Sequence, residues 1–251
     1  LYVCQSCGAQ TRQFFGRCSS CGSWNSLVEQ SAPKDDGRRR RSGADPGAVP
    51  KPRRSTAMAS LGDQPLERIG SGYKELDRVL GGGLVPGSLV LVGGDPGIGK
   101  STLLLQSASA IASHRSVLYV SAEESAQQVK LRWQRLPAEE SDLWLLAETD
   151  LELVLEELEA LRPDVAVIDS IQALHDADLS SAPGSVAQVR ECAASLQRLA
   201  KRQNTALLLV GHVTKEGVLA GPKVLEHLVD AVLTFEAVSY THLRAHETVV
   251  H

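Results

Sequence analysis

Eight consecutive residues, Gly94-Asp95-Pro96-Gly97-Ile98-Gly99-Lys100-Ser101, match the spacing G-x-x-x-x-G-K-[ST] of a phosphate-binding loop. Gly94, Gly97 and Gly99 let the backbone curl until successive N–H groups converge on one anion. A helix beginning near Lys100 adds its positive end, where anions bind readily. Residues Gly94 to Thr102 are therefore the expected nucleotide-binding segment. Within it, the Lys100 ammonium reaches the β- and γ-phosphates of a nucleoside triphosphate, and the Ser101 hydroxyl ligates Mg²⁺.

Hydrolysis needs more than a cradle. The apolar run Val165-Ala166-Val167-Ile168 ends in Asp169, the place from which a phosphate-loop enzyme holds the water shell of Mg²⁺. Another run, Tyr119-Val120-Ser121-Ala122, is followed by two carboxylates, Glu123 and Glu124. Glu123 is the expected base that polarises the attacking water, and Glu124 complements the positive end of the following helix. Gln172 and His212 each follow a strand and are expected to sense the γ-phosphate and relay its state to the loops behind them. Gly217 and Gly221 make the loop behind His212 pliable.

A second chemistry sits near the N-terminus. Cys4 and Cys7 enclose two residues, as do Cys18 and Cys21, and ten residues separate the pairs. This is the spacing of a four-thiolate Zn²⁺ site. A redox C-x-x-C needs only one pair and a βαβ context, which is missing here. Gly8 and Gly22 follow the second cysteine of each pair, where the chain turns tightly around a metal. Such a short module cannot hold a core, so the metal supplies most of its folding energy, on the order of 10 kcal/mol or more. Phe14, Phe15 and Trp24 have the chemistry to stack on bases, yet in so small a module they are expected to cover the metal site. The fifth cysteine, Cys192, lies beside Ala193 and Ala194 in a helical stretch and reads as a lone thiol.

These residues need a scaffold, and 251 residues give room for one α/β core plus an appendage. Strands are expected at Leu89 to Val92, Val117 to Val120, Leu143 to Leu146, Val165 to Ile168, Ala206 to Val210 and Ala231 to Phe235. Glu67 to Leu80 reads as a turn and then an amphipathic helix with Leu76, Val79 and Leu80 on one face, and further helices are expected at Ser101 to Ala112, Ala126 to Leu136, Leu151 to Leu161 and Val186 to Gln203. Short all-apolar strands alternating with helices predict an α/β fold with a mainly parallel sheet covered on both faces. The division expected is a zinc module over 1–30, a linker over 31–65, a core over 66–236 and a non-native tail over 237–251. From Ser31 to about Ser60, Lys34, Arg38 to Arg41, Lys51, Arg53 and Arg54 face only Asp35, Asp36 and Asp45, a composition that suits a tether or a phosphate-contacting arm. The overall charge of −4 excludes a uniformly basic coat. No run of about 18 apolar residues is present, and no signal-peptide order opens the chain, which predicts a cytoplasmic protein without membrane association.

Taken together, the phosphate loop, Glu123-Glu124-Ser125, Val167-Ile168-Asp169-Ser170-Ile171-Gln172 and Gly211-His212-Val213-Thr214-Lys215-Glu216-Gly217 resemble the bacterial RadA (Sms) family. The four-cysteine finger, Ser181-Ala182-Pro183-Gly184-Ser185-Val186 and Gly221-Pro222-Lys223-Val224-Leu225-Glu226-His227 strengthen the likeness, which extends over residues 1 to about 236. The resemblance implies a RecA-like phosphate-loop core with a zinc-ribbon-like finger, and ATP, Mg²⁺ and Zn²⁺ as its cofactors. It implies a DNA-dependent ATPase that binds single-stranded and branched DNA, forms homo-hexameric rings, works with a recombinase partner and promotes branch migration in recombinational repair. It carries catalysis onto Lys100 and Glu123, Mg²⁺ onto Ser101 and Asp169, and DNA-linked loops onto the segments after Gln172 and after His212. Ala122 departs from the family's glycine. The family also continues past Phe235-Glu236 into a Lys-Asn-Arg-Phe-Gly motif and a Lon-protease-like domain, so the sequence is expected to be a fragment, with Ser239 to Thr248 resembling vector read-through. Two other readings share parts of this pattern. A regulatory ATPase or kinase of the circadian-clock type has the Gly72-Tyr73-Lys74-Glu75-Leu76-Asp77 lead-in but no zinc finger, and a non-catalytic nucleotide-bound adaptor has no need of Glu123.

Overall fold

The structure is a computed structural model that describes residues 2–4, 10–20, 22–29, 67–136, 143–212 and 225–236. The expected linker, the tail, the segment behind His212, Cys7 and Cys21 lie outside the described residues.

Six strands build the main sheet: β4 (Leu89–Gly94), β5 (Val117–Ser121), β6 (Leu143–Ala147), β7 (Val165–Asp169), β8 (Ala206–His212) and β9 (Ala231–Phe235). All their pairings are parallel, in the order β6-β5-β7-β8-β4-β9. Five helices accompany the strands: α1 (Lys74–Val79), α2 (Lys100–Ile111), α3 (Ala126–Trp133), α4 (Leu151–Leu161) and α5 (Val186–Gln203). From β4 the chain crosses β8 and β7 to reach β5, whereas β8 leads the other way to β9. Connections leaving neighbouring strands in opposite directions open a crevice at the carboxyl ends, where ligands bind in parallel sheets.

Side chains alternate across the strands, and the two faces collect different helices. Tyr119, Val165, Val167 and Leu208 pack with Leu104, Leu105, Ala108 and Ile111 of α2 and Val129 of α3; Leu76, Val79 and Leu80 close the same cluster from α1. Leu118, Val120, Ile168 and Leu209 pack on the opposite face with Val154 and Leu158 of α4 and Val189, Cys192 and Leu196 of α5. Helix starts follow local chemistry. Ser125 and Gln128 form a capping box on α3, and Asp150 accepts from Glu152 N (2.8 Å) on α4.

Among the described residues, the edge strand β6 pairs with β5 alone and leaves Trp144 54% and Leu145 37% exposed. An edge strand lies beyond the reach of the helices that shield the centre, so its apolar side chains are only half covered.

The N-terminal module is a three-stranded antiparallel sheet in the order β2-β1-β3, with β1 (Tyr2–Cys4), β2 (Gln10–Thr11) and β3 (Leu27–Glu29). Cys4, Cys18 and Leu27 form its buried cluster, with Tyr2 packed against it. The aromatic covering expected of Phe14, Phe15 and Trp24 is not observed: they are 59%, 48% and 71% exposed. A cluster of two cysteines and one leucine offers little surface for large rings to bury against. Trp24 stacks instead against the Arg17 guanidinium, 5.7 Å from its ring centroid, and Phe14 meets Tyr2 at 5.5 Å. Glu29 ties the module to the core by accepting from Ser180 Oγ at 3.0 Å.

Candidate nucleotide-hydrolysis site

Strand register brings the expected residues to one edge. Gly94 pairs with His212 across β4 and β8, and Ser121 pairs with Asp169 across β5 and β7, so four adjacent strands end together. Beyond Gly94 the chain turns through Asp95, Pro96 and Gly97, all exposed, and through half-buried Ile98 and Gly99, into α2. Gly97 and Gly99 have φ of +75° and +103°, and a Cβ at either would meet nothing within 4 Å. This open concavity at a helix N-terminus fits a phosphate group.

Lys100 opens α2 and is 3% exposed. Its Nζ donates to Gly94 O at 2.8 Å and Asp95 O at 2.9 Å, which holds the ammonium against the loop. Burial pulls its pKa below the usual lysine range, and the charges of Asp169, Asp95 and Glu123 oppose that pull. Ser101 is half-buried and Thr102 exposed on the first turn of α2. Ser101 and Asp169 offer the hard oxygen donors that Mg²⁺ takes, and the Asp169 charge acts on Lys100, the neighbour of Ser101.

Asp169 is 7% exposed at the end of β7, and its Oδ2 accepts a hydrogen bond from the Tyr119 hydroxyl at 2.6 Å. Tyr119 is fully buried; burial first and the Asp169 charge second push its phenol well above the usual tyrosine range. Tyr119 was not among the residues singled out from the sequence. The available signal was a hydroxyl in an otherwise aliphatic buried strand, where a polar atom needs a partner.

Glu123 lies behind β5 and turns toward β7 and β8. Its Oε1 accepts from Ser170 Oγ and lies 3.2 Å from His212 Nε2. The His212 hydrogen bond, with the Ser170 bond behind it, holds the Glu123 carboxyl below the usual range against the desolvation that pushes it up. Glu124 points elsewhere and pairs with Arg132 of α3. Gln172 Nε2 donates to the His212 carbonyl at 3.3 Å, joining the turn after β7 to the end of β8. Lys100, Asp169, Glu123, Gln172 and His212 thus gather at one sheet edge, although they are far apart in sequence.

In the N-terminal module Cys4 and Cys18 are each 1% exposed, and Cys4 Sγ donates to Ser26 Oγ at 3.2 Å. Buried sulfur donors beside small antiparallel strands fit a structural Zn²⁺. Cys7 and Cys21 lie outside the described residues.

Comparison with known proteins follows the same division. An AAA domain family matches residues 55–218, and a rubredoxin metal binding domain family matches residues 2–29. The chain is 49% identical over 236 residues to the DNA repair protein RadA of Listeria monocytogenes, covering 94% of this chain and 50% of that protein. It is 50% identical to the RadA of Synechocystis (94% and 52% covered) and 50% identical to that of Pseudomonas aeruginosa (97% and 53% covered). The chain therefore spans about half the length of these relatives. Among solved structures, a KaiC-like protein of Pyrococcus horikoshii superimposes with a TM-score of 0.58 at 19% identity, covering 74% of this chain and 88% of that one. At that identity the likeness shows the fold alone.

Proposed function

The chain belongs to the RadA family, and on that premise we propose that it is a DNA-dependent ATPase of recombinational repair. The observation that carries this reading is the 3.2 Å contact between Glu123, the candidate base, and His212, the last residue of β8. A base tied to a strand end makes hydrolysis answerable to whatever the following loop binds. We infer that this ligand is DNA, single-stranded or branched, and that in the full-length protein six subunits form a ring that promotes branch migration alongside a recombinase.

Gly97 and Gly99 present backbone N–H groups to the phosphates, and Lys100 neutralises the β- and γ-phosphate charge. Ser101 and Asp169 would hold Mg²⁺, which would supply charge to screen the phosphate oxygens. His212 and Ser170 stabilise the negative form of Glu123 and hold its carboxyl below the usual range. Both contacts fall on Oε1, so Oε2 is the oxygen left to orient and deprotonate water. A shift of His212 would alter the basicity and position of Glu123 together. Gln172, bonded to the His212 carbonyl, gives the γ-phosphate side a second handle on the same strand end. A purely structural nucleotide clamp has no use for this arrangement.

The test is the ATPase rate of the full-length protein with and without single-stranded DNA, with Lys100→Ala as the control. DNA should raise the wild-type rate, and Lys100→Ala should cut both rates by about 10²- to 10³-fold. A wild-type rate indifferent to DNA overturns the reading.

A further inference from the structure

We propose that Tyr119 is a positioning residue for the carboxylate of Asp169, selecting which of its oxygens faces the Mg²⁺ water shell. The inference rests on the reading of Asp169 as the acid on the Mg²⁺ side.

Geometry makes the case. Ser121 stands opposite Asp169 in the β5–β7 register and Tyr119 opposite Val167, so Tyr119 and Asp169 lie diagonally on one face of the sheet. The phenol reaches along that diagonal and donates its only proton to Oδ2 at 2.6 Å. It is the one side-chain hydrogen bond to Asp169 among the described residues, and it engages Oδ2 alone. The ring is held in turn by the apolar cluster it shares with Leu104, Leu105 and Ala108 of α2, the helix that also carries Lys100 and Ser101. The orientation of the carboxylate is thus referenced to the helix that presents the other proposed Mg²⁺ ligand. A phenylalanine would fill the same space. What the hydroxyl adds is a fixed donor for a buried carboxylate, which otherwise rotates about its terminal torsion. Partners that orient metal-side groups in this manner typically change metal affinity or activity about 10- to 100-fold when removed.

The experiment compares wild type, Tyr119→Phe, Asp169→Asn and the double variant. Binding of a fluorescent non-hydrolysable ATP analogue is titrated with Mg²⁺, and thermal unfolding is recorded without nucleotide. Tyr119→Phe should raise the Mg²⁺ midpoint by about 10-fold, with analogue affinity at saturating Mg²⁺ unchanged. In the Asp169→Asn background the same substitution should add no further shift. An unchanged midpoint, a shift that persists in that background, or a Phe variant that fails to fold overturns the proposal, the last because it makes the hydroxyl a folding requirement. A wild type whose analogue binding ignores Mg²⁺ overturns the underlying reading of Asp169 instead.

Discussion

His212 Nε2 stands 3.2 Å from Glu123 Oε1, linking the end of β8 to the loop behind β5 across the intervening strand β7. The contact favours the ionised carboxylate and lowers the pKa of Glu123. A base must be ionised to work, so activity should persist to a pH below the ordinary carboxylate range. His212→Ala removes the largest cause of that lowering. The acidic limb of kcat against pH should therefore move upward, and stimulation by DNA should fall. A limb that stays in place would separate His212 from the base.

Lys100→Ala should reduce kcat by about 10²- to 10³-fold, the usual cost of losing a preorganised charge at a reacting phosphate. Among the described residues, the Lys100 ammonium bonds only to carbonyls of its own loop. Thermal unfolding of the variant should accordingly remain close to wild type, and a collapse of the fold would mean that Lys100 is structural.

Gly94→Ala tests the strand end itself. Gly94 has φ of +149°, and a Cβ there would fall 2.7 Å from the Phe235 carbonyl oxygen on β9. Backbone has no side-chain freedom with which to retreat, so the substitution should cost about 1–3 kcal/mol in urea unfolding. Gly97→Ala meets open space at φ of +75° and should cost only about 1–2 kcal/mol. Its effect should appear instead as weakened nucleotide binding, because the new methyl stands in the proposed phosphate cradle.

Chelation of Zn²⁺ should unfold the N-terminal module and leave nucleotide binding intact. Cys4, Cys18 and Leu27 are too small a cluster to stabilise β1 to β3 by burial, whereas α2 and β4 have their own core. Limited proteolysis within residues 10–29, read beside nucleotide affinity, checks both halves. Loss of affinity on chelation would place the boundary between module and core elsewhere.

Cys192 faces the cluster under α5 with 0% exposure, and burial pushes its thiol up to about 12. At neutral pH it should resist iodoacetamide in the native protein and react once the core is unfolded. Rapid labelling under native conditions would show that α5 opens from the sheet.

Much of this molecule is readable along the chain because the decisive signals are local. The bounds of α4, Leu151–Leu161, and α5, Val186–Gln203, follow from helical periodicity and the punctuation around it. The phosphate loop is legible because all its parts lie within eight residues. One reading needed the fold to amend it, and one feature only the fold supplied. The exposure of Trp144 and Leu145 follows from the edge position of β6, which the residues of that strand do not state. Phe14, Phe15 and Trp24 read as a cover and are exposed, since composition does not say which rings a small module can bury.

The sequence by itself determined the alternation of strands and helices, the phosphate loop and the paired cysteines, because short-range spacing encodes each. Only the tertiary structure decided that Glu123 turns to Ser170 and His212 while Glu124 turns to Arg132, two neighbours separated by one peptide bond. It alone brought the Tyr119 hydroxyl onto Asp169, fifty positions away in the chain. Such contacts depend on which strands are neighbours and in what register, and that order is settled by the packing of the whole sheet rather than by any one stretch of residues.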